Sequence, residues 1–209
     1  MSIRATILRR ETFEPYGSII SPAEEIATYN SSNGVAENNA NQGTAIKLLS
    51  ISQVQNSSCA VIPHLNLFRC KSRGLIYPDR EFAIAVSLLE KHPQSSQTFI
   101  PMGTSRDEIA YIVVVALAAS NDMSKPDLST IKAFACKGNQ AVTYGAGVWH
   151  APMIAVSERS EYSYVDFAVL IYENDDIHHP ELDCVEYSLE TPVDIIVDVR
   201  SRADFLSAR

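Results

Sequence analysis

The stretch Tyr162-Ser163-Tyr164-Val165-Asp166-Phe167-Ala168-Val169 decides the fold class. Val165, Phe167 and Val169 alternate with Tyr164, Asp166 and Ala168, and a period of two places successive side chains on opposite faces of a strand. Such a strand has one wet face. Working outward, segments rich in β-branched and aromatic residues and separated by Gly, Pro, Asn or Asp predict strands at 45–52, 60–69, 82–89, 97–101, 109–118, 130–136, 141–144, 153–156 and 162–172. Many short strands at close spacing with few helix signals make the chain mainly β, a barrel or sandwich with a few short helices. Propensity alone does not choose between those two.

Helix signals are confined to a short turn at 12–17, with Thr12 as N-cap and Pro15 limiting its length. Residues 28–44 are rich in Asn, Ser and Gly and read as a long loop, a kind of segment that often carries function. From Glu173 onward comes an acidic, His-bearing loop, Asn174-Asp175-Asp176-Ile177-His178-His179-Pro180, then strand-like segments at 184–189 and 195–199. These are expected to extend the sheet or cover an edge strand. We therefore read 1–209 as a single domain, with 173–209 an extension packed on the barrel.

Hydrophobic residues make up 46% and charged residues 20%, enough for a sizeable core. The formal net charge of −8 argues against nucleic acid and anionic membrane surfaces as partners. The longest apolar run, 109–119, is too short to span a bilayer, and Met1 to Arg10 has no apolar core of signal-peptide length. The C-terminal Ser207-Ala208-Arg209 lacks a peroxisomal address. Cys59, Cys70, Cys136 and Cys184 lie far apart and read as free thiols. A cytoplasmic location is the expectation.

The chemistry-bearing pattern is Glu90-Lys91-His92, four residues, Gln97, and later Gly147-Val148-Trp149-His150. It resembles the cupin arrangement H-x-H, three or four residues, E, then G-x-x-H, with Glu90 and Gln97 as replacements. In a strand, Glu90 and His92 share a face. A glycine ahead of the last histidine suits a tight turn that delivers it from a neighbouring strand. If a metal is held, the ligands are Glu90, His92, Gln97 and His150, although an amide oxygen is a weak ligand. The same side chains equally suit acid–base work without metal. Two blander readings stand beside these: Glu90-Lys91-His92-Pro93 as a charged strand end, and His150 as a core histidine satisfied by backbone.

Four ordered motifs carry a family resemblance: Leu89-Glu90-Lys91-His92-Pro93, Gln97-Thr98-Phe99-Ile100-Pro101-Met102, Pro126-Asp127-Leu128-Ser129-Thr130-Ile131-Lys132-Ala133-Phe134 and Gly147-Val148-Trp149-His150-Ala151-Pro152. With Phe13-Glu14-Pro15-Tyr16-Gly17 and Asn33-Gly34, they resemble the ureidoglycolate lyase family, also called ureidoglycolate hydrolase. The insertion around 103–108 and the long tail look like its fungal branch. Lys91 and Lys132 stand where the family has arginines, so bidentate carboxylate binding is lost at Lys132. Ala151 stands where it has a second histidine.

The resemblance implies a cupin-like barrel, a homodimer, and cleavage of ureidoglycolate to glyoxylate and urea. That carbinolamine needs a base for its hydroxyl proton, an acid for the departing nitrogen and a group for its carboxylate. No cofactor is required by this chemistry, while a divalent metal is compatible with it. His92 or His150 is then the base and Glu90 the orienting group or acid. Arg69 or Lys132 pairs with the carboxylate, and Asn33, Gln97 and Tyr144 hydrogen-bond the ureido group. Arg69 also reads as a surface residue, and Lys132, pointing opposite to Ile131 and Ala133, as solvent-facing. A metal-dependent cupin dioxygenase or isomerase and a non-catalytic ligand-binding barrel are the alternatives. His64 and the pair His178-His179 are read as structural or solvated.

Overall fold

The computed structural model describes residues 1–31, 39–76, 81–157 and 163–198. Among these the strands, in chain order, are β1 (Ser2–Arg4), β2 (Thr6–Ile7), β3 (Gly17–Ile20), β4 (Asn39–Ala40), β5 (Ala45–Ile46), β6 (His64–Leu75), β7 (Phe82–Lys91), β8 (Gln97–Met102) and β9 (Ile109–Ala116). They continue with β10 (Ala118–Ala119), β11 (Asp122–Pro126), β12 (Lys132–Lys137), β13 (Ala141–Tyr144), β14 (Trp149–His150), β15 (Ile154–Ser157), β16 (Tyr164–Ile171) and β17 (Val185–Val197). The helices are short, α1 (Arg10–Phe13) and α2 (Pro22–Ser31), with single 3₁₀ turns elsewhere. None is long and apolar enough to cross a membrane.

One curled, mixed sheet of 13 strands runs β1-β17-β7-β14-β9-β15-β6-β16-β8-β13-β3, with β12 and β2 joined at β9. This is the mainly β, cupin-like architecture expected, open along part of its circumference. Two apolar clusters explain how its strands read in sequence. Strand β9 is buried at every position because both its faces are covered. Val113 and Val115 face an inner cluster with Phe13, Phe99, Phe134, Tyr144 and Phe167. Ile112, Val114 and Ala116 face an outer cluster with Leu89, Trp149, Leu189 and Ile195, beneath the β7–β17 ribbon. A strand covered on both sides has no wet face, hence a continuous apolar run rather than alternation. Strand β16 has one sealed face and alternates, Val165, Phe167, Val169 and Ile171 buried inward. Each fully buried large aliphatic side chain stabilises the fold by about 1.5–3 kcal/mol relative to exposure.

Several local expectations are corrected. The first helix begins at Arg10, and Thr12 lies inside it with its hydroxyl donating to the Arg9 carbonyl (3.1 Å), so Thr12 is not the N-cap. Of the loop expected at 28–44, residues 28–31 belong to α2 and 39–43 to β4 and a 3₁₀ turn, while 32–38 lie outside the described residues. Of the strand expected at 45–52 only Ala45–Ile46 forms, and the strand expected at 60–69 is shifted to His64–Leu75. The start of the 130–136 strand is taken by a 3₁₀ turn, which Asp127 caps by accepting from the Ser129 amide (3.0 Å). The two tail segments are one strand, β17, interrupted by a register shift between Ser188 and Val193. Pro192 lies in that gap and has no N–H to give to a ladder. Asn33 lies outside the described residues.

Candidate functional site

Register places the site. Across the sheet, Lys132 pairs with Val115, Val115 with His150, His150 with Glu90, and Glu90 with Glu186. Directly opposed residues share a face, and Val115 belongs to the inner cluster, so this row points into the barrel. On the facing wall Tyr144 pairs with Gln97, in the same inward alternation as Phe99. His92 follows Glu90 by two and shares its side. The turn before His150 depends on Gly147, whose φ of +77° is a left-handed value that L side chains avoid. The Gly147 amide donates to the His92 carbonyl (2.8 Å), coupling the two histidine-bearing segments.

Both imidazoles are oriented by backbone. His92 Nδ1 lies 2.6 Å from the Asp183 carbonyl and His150 Nδ1 lies 3.0 Å from the Val148 carbonyl. A carbonyl only accepts, so in each neutral ring the proton sits on Nδ1 and the Nε2 lone pair faces the pocket. His150 stacks on Tyr144 with ring centres 4.0 Å apart, and its Nε2 is 3.7 Å from Glu90 Oε1. His92 and His150 ring centres are 5.6 Å apart. Among the described residues, His92 Nε2, His150 Nε2, Gln97 Oε1, Tyr144 Oη and Trp149 Nε1 are buried without a hydrogen-bond partner. Four of these five atoms belong to this pocket. Buried polar atoms are ordinarily paired because leaving one unsatisfied costs roughly 1–3 kcal/mol. Four orphans on residues of one pocket mark a place built to receive polar groups.

Burial sets the protonation states. It pushes His150 down to about 3, with repulsion from His92 adding to the shift. Burial also lowers His92, opposed by the Asp183 carbonyl, the charge of Glu173 and the nearby Gln97 amide. Glu90 is raised, first by burial and then by the charge of Glu186. Burial holds the Tyr144 phenol protonated, a donor. The pocket thus sets imidazoles shifted toward their neutral form beside a carboxyl whose pKa is raised, an arrangement that suits general acid–base catalysis.

The ligand atoms of Glu90, His92 and His150 lie within 4.8 Å of one another. Two imidazole nitrogens and a carboxylate oxygen are donors of the kind that suits Zn, Ni, Mn or Fe, and the unpartnered Gln97 Oε1 would be a fourth. These residues could hold a divalent ion.

The other expected residues are placed differently. Lys132 is exposed at the far end of the Glu90–His150 row, on the pocket's side of the sheet rather than behind it. Arg69 is not brought to the pocket. It lies on the outer face of β6, bonded through Nε and Nη2 to both Asp166 oxygens (2.8 and 2.9 Å) and packed over Tyr164. Adjacent Phe68 faces inward against Phe99, so the alternation sends Arg69 the other way. Lys91 also faces outward, its ammonium over the Trp149 ring and donating to the Met123 carbonyl (2.6 Å). Ala151 is buried in the outer cluster, on the opposite side from His150. A second histidine there would not enter the pocket. Sequence reasoning missed Asp183 and Glu186, which reach the site from the tail. Asp183 stands 91 residues from His92, and no short spacing announces it.

Comparison with known proteins identifies the family. The sequence model described as ureidoglycolate lyase matches residues 1–196. The chain is similar to the ureidoglycolate lyase of Saccharomyces cerevisiae, 49% identical over 192 residues, 89% of this chain and 93% of that protein. The Schizosaccharomyces pombe ureidoglycolate lyase is 36% identical over 94% of this chain and 96% of its own length. That of Escherichia coli K12 is 29% identical over 79% and 88%.

Proposed function

The chain belongs to the ureidoglycolate lyase family, and from that premise we propose that it is a lyase splitting ureidoglycolate into glyoxylate and urea. The observation that carries this reading is the convergence of four unpartnered buried atoms, His92 Nε2, His150 Nε2, Gln97 Oε1 and Tyr144 Oη, beside the raised carboxyl of Glu90. One carbon of the substrate carries hydroxyl, carboxylate and ureido nitrogen. A base removes the hydroxyl proton, the O–H electron pair becomes the aldehyde C=O, and the C–N pair leaves with nitrogen. Nitrogen then takes a proton from an acid, so one proton moves from oxygen to nitrogen and no redox change occurs.

His92 is the base in this reading. His150, held near 3, is the poorer base and serves through its neutral Nε2. Glu90 is the acid. Tyr144 donates to the ureido oxygen and the Gln97 oxygen accepts from ureido N–H. Lys132, on the pocket side and exposed, is the cation for the carboxylate. Asn33 keeps its proposed ureido contact on the family resemblance alone. Arg69 is already spent on Asp166, which favours Lys132.

The elimination needs no cofactor. A divalent ion held by Glu90, His92, His150 and Gln97 would, when bound, polarise the substrate hydroxyl and promote its ionisation. The metal-dependent dioxygenase or isomerase and the non-catalytic barrel are not favoured.

We also propose that chain 1–209 works as one domain and as a homodimer in the cytoplasm. Leu65, Leu67, Ile100 and Met102 form an exposed apolar patch on the outer face of β6–β16–β8, of the kind that marks interfaces. Bordered by the self-neutralised Arg69–Asp166 pair, it suits a second copy of itself. The free cysteines fit a reducing compartment.

The test is a product assay on ureidoglycolate, following urea, glyoxylate and ammonia with and without EDTA. Urea with glyoxylate and no ammonia is expected. Ammonia instead of urea would overturn the lyase, since it means hydrolysis of the ureido group. Loss of turnover with EDTA would assign a required metal.

A further inference from the structure

The tail that follows β16 packs behind His92 rather than standing apart from the site. Its short 3₁₀ turn (Pro180–Leu182) ends at Asp183, whose carbonyl receives the His92 Nδ1 proton at 2.6 Å. The Asp183 carboxylate is itself held three times. Its Oδ1 accepts from the Asn174 amide N–H (2.7 Å) and the Asn174 side-chain Nδ2 (2.8 Å), and its Oδ2 accepts from the Asp175 N–H (3.1 Å). Asn174 is tied in turn to the main body, its Oδ1 accepting from the Cys59 amide (3.2 Å) and its Nδ2 reaching Gln94 Oε1 (3.3 Å). Gln94 is two residues from His92, and Ser95 donates to the Tyr172 carbonyl (2.8 Å) at the root of the tail.

These contacts form a clasp. Its two jaws are the segment after His92 and the loop from Asn174 to Asp183, and its one purchase on the imidazole is a backbone oxygen. The position of a backbone oxygen is set only by what holds its own residue. We propose that Asp183 is a positioning residue: its carboxylate, clamped by Asn174 and Asp175, holds its carbonyl against His92 Nδ1 and so keeps the Nε2 lone pair aimed into the pocket. A histidine in the wrong tautomer presents N–H where a base is needed, and loses turnover even with the ring in place. The C-terminal segment thereby supplies the orienting group for the proposed base. This inference rests on His92 acting as the base of the lyase reaction.

Two readouts separate the positioning role from the reaction. The first is ¹⁵N NMR of histidine-labelled protein, with the His92 signals assigned by their absence in His92→Gln. In the unaltered protein Nδ1 is expected as the N–H nitrogen and Nε2 as the bare one. The second is kcat and KM for ureidoglycolate. For Asp183→Ala, kcat is expected to fall by about tenfold to a hundredfold, the scale set by an ångström of misplacement, with KM within about twofold and the His92 signals redistributed between tautomers. Asp183→Asn, which keeps an oxygen for Asn174, is expected to retain most of kcat and the original tautomer. Should Asp183→Ala not fold, Asn174→Ala removes only the side-chain ties and is read in the same way. The inference is overturned if a folded Asp183→Ala or Asn174→Ala keeps both kcat and the tautomer, or if the unaltered protein carries its His92 proton on Nε2. If the unaltered protein does not turn over ureidoglycolate, the lyase reading fails, while the NMR comparison still decides the role of Asp183.

Discussion

Among the described residues, two groups of three gather histidine and carboxylate ligand atoms within 4.8 Å: Glu90 with His92 and His150, and His64 with Glu173 and Asp175. By composition they are near equals. In the second cluster the groups satisfy one another, His64 Nδ1 lying 3.1 Å from Glu173 and Nε2 3.4 Å from Asp175, on a surface where all three are partly or well exposed. In the first, each histidine gives one nitrogen to a backbone carbonyl, and its other nitrogen is buried without a hydrogen-bond partner. Water screens the surface cluster, so its contacts have small effect. Burial amplifies the inner one, driving the imidazoles toward neutrality and the carboxyl toward its protonated form. Proximity of residue types is therefore a poor index of function; the combination of proximity, burial and unmet hydrogen-bonding capacity is the useful one.

The sharpest way to break the comparison is to remove the inner base. His92→Ala is expected to lower kcat for urea release by about 10²–10⁴-fold, the usual span for a general base, with an unchanged circular-dichroism spectrum. Activity within a few-fold of the unaltered protein would place the two clusters on the same footing.

Next in size is Glu90→Gln, with an expected loss of roughly tenfold to a hundredfold and a change in pH dependence. The signs are these. Glu90 acts protonated and its pKa is raised, so turnover falls as pH rises through that raised value. His92 acts unprotonated and its pKa is lowered, so turnover falls as pH drops through a value below the ordinary imidazole range. Together they give a bell, whose alkaline limb Glu90→Gln should abolish. Glu186→Gln removes one cause of the elevation and should move that limb to lower pH. A limb that stays in place in both variants would remove Glu90 from the acid role.

A smaller effect is expected at the pocket rim. Lys132→Ala should raise KM about tenfold, the value of one charge-assisted contact, and leave kcat within about threefold. Arg69→Ala should leave KM unchanged, and the reverse pattern would exchange their roles. Smallest of all, His64→Ala should change kcat/KM less than about twofold and stability by no more than about 1 kcal/mol. A large loss there would show that the surface cluster takes part in the chemistry.

How much of this was legible beforehand differs by region. Alternation in 162–169 and the apolar run at 109–118 predict strands that are present, because burial of one face or of both writes directly into residue order. Glu90, His92, Gln97 and His150 were legible as a set because two short spacings, each within one strand or turn, place them on one side of the sheet. Arg69 was misjudged for the complementary reason. Type and position at a strand suited a substrate cation, but the side chain's face follows from Phe68 packing on Phe99, a contact across the barrel. The 45–52 segment has strand-like composition, yet β-propensity measures fit to a half-buried sheet surface, and most of that segment finds no partner strand.

What the sequence by itself determined is the alternating and continuous apolar patterns, a turn glycine ahead of His150 and the order of the family motifs, since each depends on neighbours a few residues apart. The tertiary structure alone decided which face Lys132 and Arg69 take, that Glu186 stands opposite Glu90, and that the Asp183 carbonyl orients His92. Those are pairings across tens to hundreds of residues, set by strand register and by what each buried polar atom must bond to, and a local residue pattern carries neither.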